Sequence, residues 1–325
     1  MTKQKWITLL SRFGPLLGLV LVYAIFAFMV VIGRLEGRFF SADSFETIAR
    51  QTTIVGIAAL GMTLVIIGGG IDLSVGSIVA LSTVVTAMRL EAGSAPVVAA
   101  CWGVLAGALC GLISGAIITR LKVVPFIVTL GMLLLVRGVA KGLAHEQKID
   151  APMTWLNDLV ATLGPDQRWM IVPFGVWLLV ILAFMTAGIL RYTKLGRHTF
   201  AVGSNEQTSR LCGVPVERVK LCMYTLCAAF AGIAGLMQFS RLTVGDPTVA
   251  QGLELDVIAA VVIGGGSLSG GEGSILGTLV GALIMSVIRA GCTQMGLPNW
   301  IQDIVTGMII VLAVTLDRLR HRWSE

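Results

Sequence analysis

The chain has 325 residues, of which 56% are hydrophobic and only 13% are charged, and its mean hydropathy is +0.89. Soluble domains carry about 25% charged residues, so this composition excludes a water-soluble protein and makes the lipid bilayer the solvent. The polar stretches 33–51, 144–168 and 191–218 are the size of loops. We therefore predict a single transmembrane domain over residues 1–325. The net charge of +6 collects in a few loops, as membrane topology requires, and does not indicate nucleic-acid binding.

Apolar runs along the chain predict an all-α, polytopic integral membrane protein with about ten transmembrane helices and Gly-rich helix breaks. The first run is long enough to span a bilayer and lacks a small-residue cleavage site, so it predicts a retained helix. The eighth is too short to span as a straight helix. The ten runs are 14–33, 52–69, 73–88, 95–119, 123–143, 169–190, 219–240, 256–267, 274–290 and 301–317.

Ten spans place both termini on the same side of the membrane, and the positive charges indicate which side. That side receives the terminal segments 1–13 and 318–325 and the loop 191–218, and it should be cytoplasmic because Lys and Arg are enriched there. The basic residues that it receives are Lys3, Lys5, Arg12, Arg120, Lys122, Arg191, Lys194, Arg197, Arg210, Arg218, Lys220, Arg318, Arg320 and Arg322.

Glycines recur at every fourth position in two of the runs. Four-residue spacing places them on one helix face, where two backbones can approach closely. The pattern predicts tight helix–helix packing rather than ligand binding. The repeated glycines are Gly103, Gly107, Gly111 and Gly115 in the fourth run, and Gly273, Gly277 and Gly281 at the start of the ninth.

Two Gly-rich segments interrupt the apolar pattern at related positions, 68–77 and 264–274, and each follows an Ile-Ala-Ala run. Glycines end helices easily because they adopt positive φ. Paired breaks in two halves of a chain are also a feature of transport proteins built from repeats. The segments can be surface turns, hinges or both. As candidates for a translocation path or hinge we select Gly69, Gly70, Asp72, Ser74, Glu254, Asp256, Gly264 and Gly265.

Three of these candidates are carboxylates near or within apolar runs, and ionisable groups inside a membrane are often functional. A proton-coupled secondary carrier would use Asp72 and Asp256 as proton relays. The structural interpretation, which we favour, makes Asp72 or Ser74 a cap of the following helix and places Glu254 and Asp256 at a membrane interface. Arg137 and Lys141 are expected to extend towards the outer interface. Their four-residue separation also places them on one helix face, and the alternative to the favoured interpretation is that this face contacts the solute.

The loop 191–218 contains signals for a short helix. Ser204 with Gln207 three residues later is typical of a capping box, which predicts a helix from about Asn205 to Cys212. Gly213 would end it, and Pro215 would open the next span in its first turn. Either an ordinary interfacial helix or a docking element for a cytosolic partner would produce this pattern.

Several catalytic patterns are missing from the sequence. It has no GxxxxGK[ST], HExxH or GxSxG, which argues against ATP hydrolysis by a P-loop in this chain and against intramembrane enzymes of those types. The six cysteines show no CxxC spacing. We therefore expect neither catalytic nor metal-binding residues, and no cofactor.

Three stretches resemble the permease subunits of bacterial ATP-binding-cassette (ABC) importers for monosaccharides, the ribose permease-like family, and the similarity covers about residues 14–317. They are Gly61–Ile66 running into Gly69–Ser77, Thr193–Arg197 through Ala201–Asn205, and Glu254–Asp256 through Ile258–Gly265. One departure is that Gly213 lies one residue later than the Glu-Ala-Ala…Gly pattern of importer permeases would place it after Glu206.

The resemblance implies an ABC importer permease fold in the inner membrane. It implies three partners: a cytosolic ATPase that binds the ATP, a periplasmic sugar-binding protein, and a second permease copy, identical or paralogous. Transport would proceed by alternating access. In that family the loop after the sixth span couples to the ATPase, which here corresponds to Gly196, Arg197, Gly203, Asn205, Glu206, Arg210 and Gly213.

Overall fold

A helix forms at each of the ten apolar runs in the computed structural model, which describes residues 3–33, 37–164 and 169–322. Residues 1–2 and 323–325 of the predicted terminal segments lie outside the described residues. The helices are α1 (Lys3–Val31), α2 (Ala42–Ile67), α3 (Val75–Glu91), α4 (Pro96–Arg120), α5 (Pro125–Leu143), α6 (Phe174–Tyr192), α7 (Lys194–Ser204), α8 (Glu206–Leu211), α9 (Val216–Leu242), α10 (Leu253–Ile263), α11 (Ile275–Gln294) and α12 (Asn299–Arg322).

Seven of these helices are long and apolar enough to cross a membrane, which confirms an all-α polytopic membrane protein. The exact number of spans stays a prediction. Helix α3 has 17 residues and α10 has only 11. At 1.5 Å per residue α10 is about 16 Å long, roughly half the thickness of the hydrocarbon core. The predicted sixth span also starts too early, because α6 begins at Phe174, directly after Pro173.

The core lies around α2, whose most apolar window is 89% buried, whereas the corresponding windows of α4, α5 and α6 are about one-third buried or less. Large apolar side chains on those peripheral helices are exposed, among them Leu109, Leu134 and Phe184. An exposed apolar surface on a helix of this length is the surface that lipid would contact. The bundle therefore has a protein-packed centre and a lipid-facing rim.

The glycine repeat of α4 packs against α9, as the four-residue spacing predicts. A Cβ on Gly107 would approach the carbonyl oxygen of Ala228, and a Cβ on Gly111 would collide with the carbonyl oxygen of Tyr224. Similarly, a Cβ on Gly277 would collide with the backbone of Gly264, where α11 packs against the end of α10. These glycines allow helix backbones within one chain to touch.

The connections between the helices define two ends of the bundle. Residues 68–74 join α2 to α3, and residues 264–274 join α10 to α11; both lie at the end of the bundle that carries α7 and α8, which we name the coupling face. From the other end, residues 243–252 run from α9 into the bundle, where Ala250 approaches Gly76, and lead to α10; we name them the return segment. Its first part forms β2 (Val244–Gly245), which pairs antiparallel with β1 (Ile149–Asp150).

Candidate functional site

The loop between α6 and α9 contains two helices, α7 and α8, which we name the coupling element. The side chain of Thr193 caps α7 by accepting a hydrogen bond from the N–H of Gly196, with a distance of 3.2 Å. Gly196 packs so closely against α6 that a Cβ there would collide with the carbonyl oxygen of Leu190. Arg197 follows on the exposed side of α7. Helix α7 was missed in the sequence because the helix in this loop was expected to start only at Asn205.

Helix α8 is the predicted short helix, but its cap differs from the expected one. Asn205, not Ser204, holds the N-cap position, and its Oδ1 accepts the N–H of Thr208 at 2.8 Å. Ser204 cannot take this role because it is the last residue of α7. Gly213 follows the helix with φ of +82°, which confirms it as the terminator. Pro215 lies at the N-cap of α9, one residue before the predicted position.

Ion pairs fix α8 to the start of α9. Glu206 pairs with Lys220 at 2.6 Å and with Arg210 at 3.4 Å, and Arg210 also pairs with Glu217. Burial alone would raise the pKa of Glu206, but the hydrogen bonds and charges of Lys220 and Arg210 outweigh it and hold that pKa below its ordinary value. Leu211 at the end of α8 is 89% exposed, so the tip of the coupling element presents an apolar side chain outward.

The last turn of α7 lies directly on the two Gly-rich breaks. A Cβ on Gly203 would collide with the carbonyl oxygen of Ile67, the last residue of α2. The same carbonyl accepts a hydrogen bond of 2.8 Å from the N–H of Gly271 in segment 264–274. Gly69 lies beside Gly203, with φ of +76°. The ends of α2 and α7 and the segment 264–274 are thus joined through backbone groups with no side chain between them.

The predicted candidates of the first break lie inside the bundle. Asp72 and Ser74 are fully buried. Oδ1 of Asp72 accepts the N–H of Ser74 at 2.9 Å and its hydroxyl at 2.6 Å. Ser74 holds the N-cap position of α3 without a side-chain cap bond, so Asp72 supports the start of α3 by bonding to the cap residue. Gly70 leaves room for the hydroxyl group of Tyr224, with which a Cβ would collide.

The second break, predicted at 264–274, behaves differently. Gly264 follows the last residue of α10 and touches Gly277, and Gly265 has φ of +90°. These residues form a turn at the coupling face. The break that approaches residues 68–77 in the bundle interior is instead the return segment. A Cβ on Gly76 would collide with the carbonyl oxygen of Ala250 and with the carboxylate of Glu254.

Arg137 binds the return segment from α5. Its Nη1 donates to the carbonyl oxygens of Pro247 and Val249 at 3.0 and 2.6 Å. Its extension towards the outer interface stays a prediction. Non-helical carbonyl groups at membrane depth require internal partners because lipid supplies none, and a guanidinium group carries several donors.

Asp256 lies at the start of α10, as the favoured interpretation expected, but it is buried; its position relative to the membrane interface stays a prediction. It occupies the first turn of α10, is 2% exposed, and pairs with Arg289 of α11 at 2.6 Å. A buried carboxylate without a partner is costly, so the ion pair explains why it is tolerated. Glu254, in the same turn, packs against Gly76.

Sequence reasoning did not predict the contacts that Lys220, Glu217, Arg137 and Arg289 make with these groups. A signal was present for Lys220 and Glu217, because both lie in the first turns of a span that directly follows the coupling element. Arg289 gave a signal as well, since it is an ionisable residue within an otherwise apolar run. Which carboxylate it would meet depends on how α10 packs against α11.

The fold is that of a multi-pass membrane protein in which the coupling element packs against the non-helical segments 68–74 and 264–274. Residues 44–314 match the family model described as the branched-chain amino acid transport system / permease component, and the chain belongs to this family of transport permeases.

Curated relatives cover nearly the whole chain. It is 38% identical over 298 residues to the ribose import permease protein of Escherichia coli (strain K12), with 92% of each chain covered. The corresponding protein of Bacillus subtilis (strain 168) is 37% identical over 328 residues, covering 98% of this chain and 97% of its own. The fructose import permease protein of Rhizobium meliloti is 38% identical over 305 residues, covering 92% and 84%. No solved structure matches the chain significantly.

Proposed function

We propose that the chain is the transmembrane subunit of an ATP-driven importer that carries a monosaccharide, a ribose-like pentose or a hexose, across the inner membrane by alternating access. The observation that carries this proposal is the similarity over more than nine-tenths of the chain to permeases named for ribose and fructose import. The proposal includes three partners: a cytosolic ABC ATPase, a periplasmic sugar-binding protein and a second permease copy, identical or paralogous. Both termini would lie in the cytoplasm.

The geometry of the coupling face supports a mechanical role for the coupling element. Because Gly203 contacts Ile67, and Ile67 bonds to Gly271, a displacement of α7 would move the end of α2 and the segment 264–274 together. The exposed side chains of α8, with Leu211 at its tip, would receive the ATPase. ATP binding and hydrolysis would then shift these helix ends and change which face of the bundle is open.

The experiment is a Thr208→Pro substitution, compared with Thr208→Ala. Proline removes the N–H that Asn205 caps, whereas alanine retains it. In proteoliposomes that contain the permease and its ATPase, supplied with the sugar-binding protein, we expect Thr208→Pro to lose most ATP-driven sugar uptake while ATP hydrolysis continues, and Thr208→Ala to transport normally.

Two results would contradict the proposal at different levels. Normal uptake by the Thr208→Pro variant would remove the coupling role from α8 while leaving the importer class intact. Uptake by the permease alone that collapses with the proton gradient and is lost in Asp72→Asn would replace the importer by the proton-coupled carrier. Co-purification of the chain with a P-loop ATPase from its native membrane is the independent check.

A further inference from the structure

A polar cavity of about 270 Å³ lies in the half of the bundle away from the coupling face. We name it the glutamine cavity, because four of the nine glutamines in the sequence line it. The polar lining comes from five helices and the return segment. Its long or charged members include Gln51 from α2, Gln238 from α9, Gln251 from the return segment, Asp256 from α10, Arg289 from α11 and Gln302 from α12.

This concentration of long polar and charged side chains is unusual in a chain that is only 13% charged. Polar groups inside a transmembrane bundle are costly, and those that persist typically face a solute or ion pathway. Among the described residues, Gln51, Gln238 and Gln251 form no side-chain hydrogen bond, and the amide of Gln302 donates only to the nearby carbonyl oxygen of Leu297 at 3.0 Å. Helix packing alone therefore does not require the four glutamines.

The ion pair in the cavity has unused bonding capacity. Arg289 and Asp256 meet through one contact of 2.6 Å, while Oδ1 of Asp256 and Nε of Arg289 are buried and have no partner among the described residues. One group therefore needs a donor and the other an acceptor. A hydroxyl group can be both at once, so a ligand with several hydroxyl groups matches this pair and the surrounding amides.

We propose that the glutamine cavity is a binding subsite for a neutral, polyhydroxylated solute on its way through this chain. The Asp256–Arg289 pair bonds to one or two hydroxyl groups, and the glutamine amides bond to the others. The volume lies just below the range of about 300–1,000 Å³ for drug-sized ligands, which suits a monosaccharide. The inference rests on the proposed function and adds to it the site at which the permease itself contacts the sugar.

The competing occupant is an amino acid, the solute that the family's description names. Arg241 also lines the cavity and would attract a carboxylate. The apolar lining residues Ile54, Val55 and Leu253 would suit the side chain of a branched-chain amino acid, but its ammonium group would require a free carboxylate. Asp256 is already neutralised by Arg289, so the lining favours the polyol.

The test measures solute binding to the full-length chain in lipid nanodiscs by saturation-transfer NMR, with D-ribose, D-fructose and L-leucine as probes. The variant is Gln51→Leu combined with Gln302→Leu, which keeps side-chain size but removes two amides and leaves the ion pair intact. The control is Gln147→Leu, because Gln147 is exposed beyond the end of α5 and lies outside the cavity.

We expect a signal from D-ribose or D-fructose but not from L-leucine, at least a tenfold loss of apparent affinity in the double variant, and no change in the control. The proposal is overturned if neither sugar gives a signal, if L-leucine gives the signal instead, or if the double variant binds sugar as the unaltered chain does.

ATP-driven uptake separates a failure of this inference from a failure of the proposed function. If the complete transporter carrying the double variant accumulates sugar at the normal rate, the cavity is not the subsite but the importer assignment stands. If the complete unaltered transporter accumulates L-leucine and no monosaccharide, the proposed sugar class and the subsite both fail.

Discussion

The coupling face and the glutamine cavity are built in different ways. At the coupling face, contacts run from backbone to backbone: Gly203 lies on the carbonyl oxygen of Ile67, and that carbonyl bonds to Gly271. In the cavity, contacts run through long polar side chains such as Arg289 and Gln302. A backbone junction transmits displacement because it has little freedom to yield, whereas long side chains can exchange one hydrogen-bonding partner for another. The difference fits a bundle that receives force at one end and accommodates a solute at the other.

The strongest test of this contrast is Arg289→Met. It leaves the buried carboxylate of Asp256 without a partner, for which the expected cost is about 3–5 kcal/mol of stability. The thermal unfolding temperature in detergent should fall markedly. Adding Asp256→Asn should recover much of the loss, because the unpaired charge disappears. If the single and double variants are equally destabilised, the ion pair is not what makes Asp256 tolerable.

Gly203→Ala tests the backbone junction. The added methyl group would collide with the carbonyl oxygen of Ile67, and overpacking of this kind costs about 1–3 kcal/mol. The matched control is Gly188→Ala in α6, where a Cβ would meet nothing within 4 Å. We expect lower thermal stability and impaired ATP-driven uptake for the first variant only. Equal behaviour of both variants would show that the junction yields easily.

Glu206→Gln should have the smallest effect, because its ion pairs are largely solvent-exposed and such pairs contribute less than about 1 kcal/mol. Folding lowers the pKa of Glu206 below its ordinary value of 4.5. Its contribution to stability is therefore present above that value and is lost as the pH falls through the folded-state pKa. In the glutamine variant, this part of the acid dependence of the unfolding temperature should disappear. An unchanged pH profile would contradict the assigned ion pairs.

Much of the coupling face was predictable, because its signals are local. Gly213 ends α8 through its own φ angle. Elsewhere in the bundle, the glycine repeat of α4 likewise marks a helix contact by spacing alone. The error over Ser204 was also local. Ser204 and Asn205 are adjacent and both residue types cap helices, and the unexpected helix α7 extends through Ser204, which leaves Asn205 as the cap.

The sequence alone determined that the chain lies in a lipid bilayer, that it is all-α, where the apolar helices are and that it resembles sugar permeases. Each of these depends on composition, on the length of apolar runs or on short motifs. The tertiary structure decided which elements meet: that the return segment, not residues 264–274, reaches Gly76, that Arg137 binds the carbonyl oxygens of Pro247 and Val249, and that Asp256 faces Arg289. These contacts join residues tens or hundreds of positions apart. Their formation depends on the packing of whole helices, which no local pattern specifies.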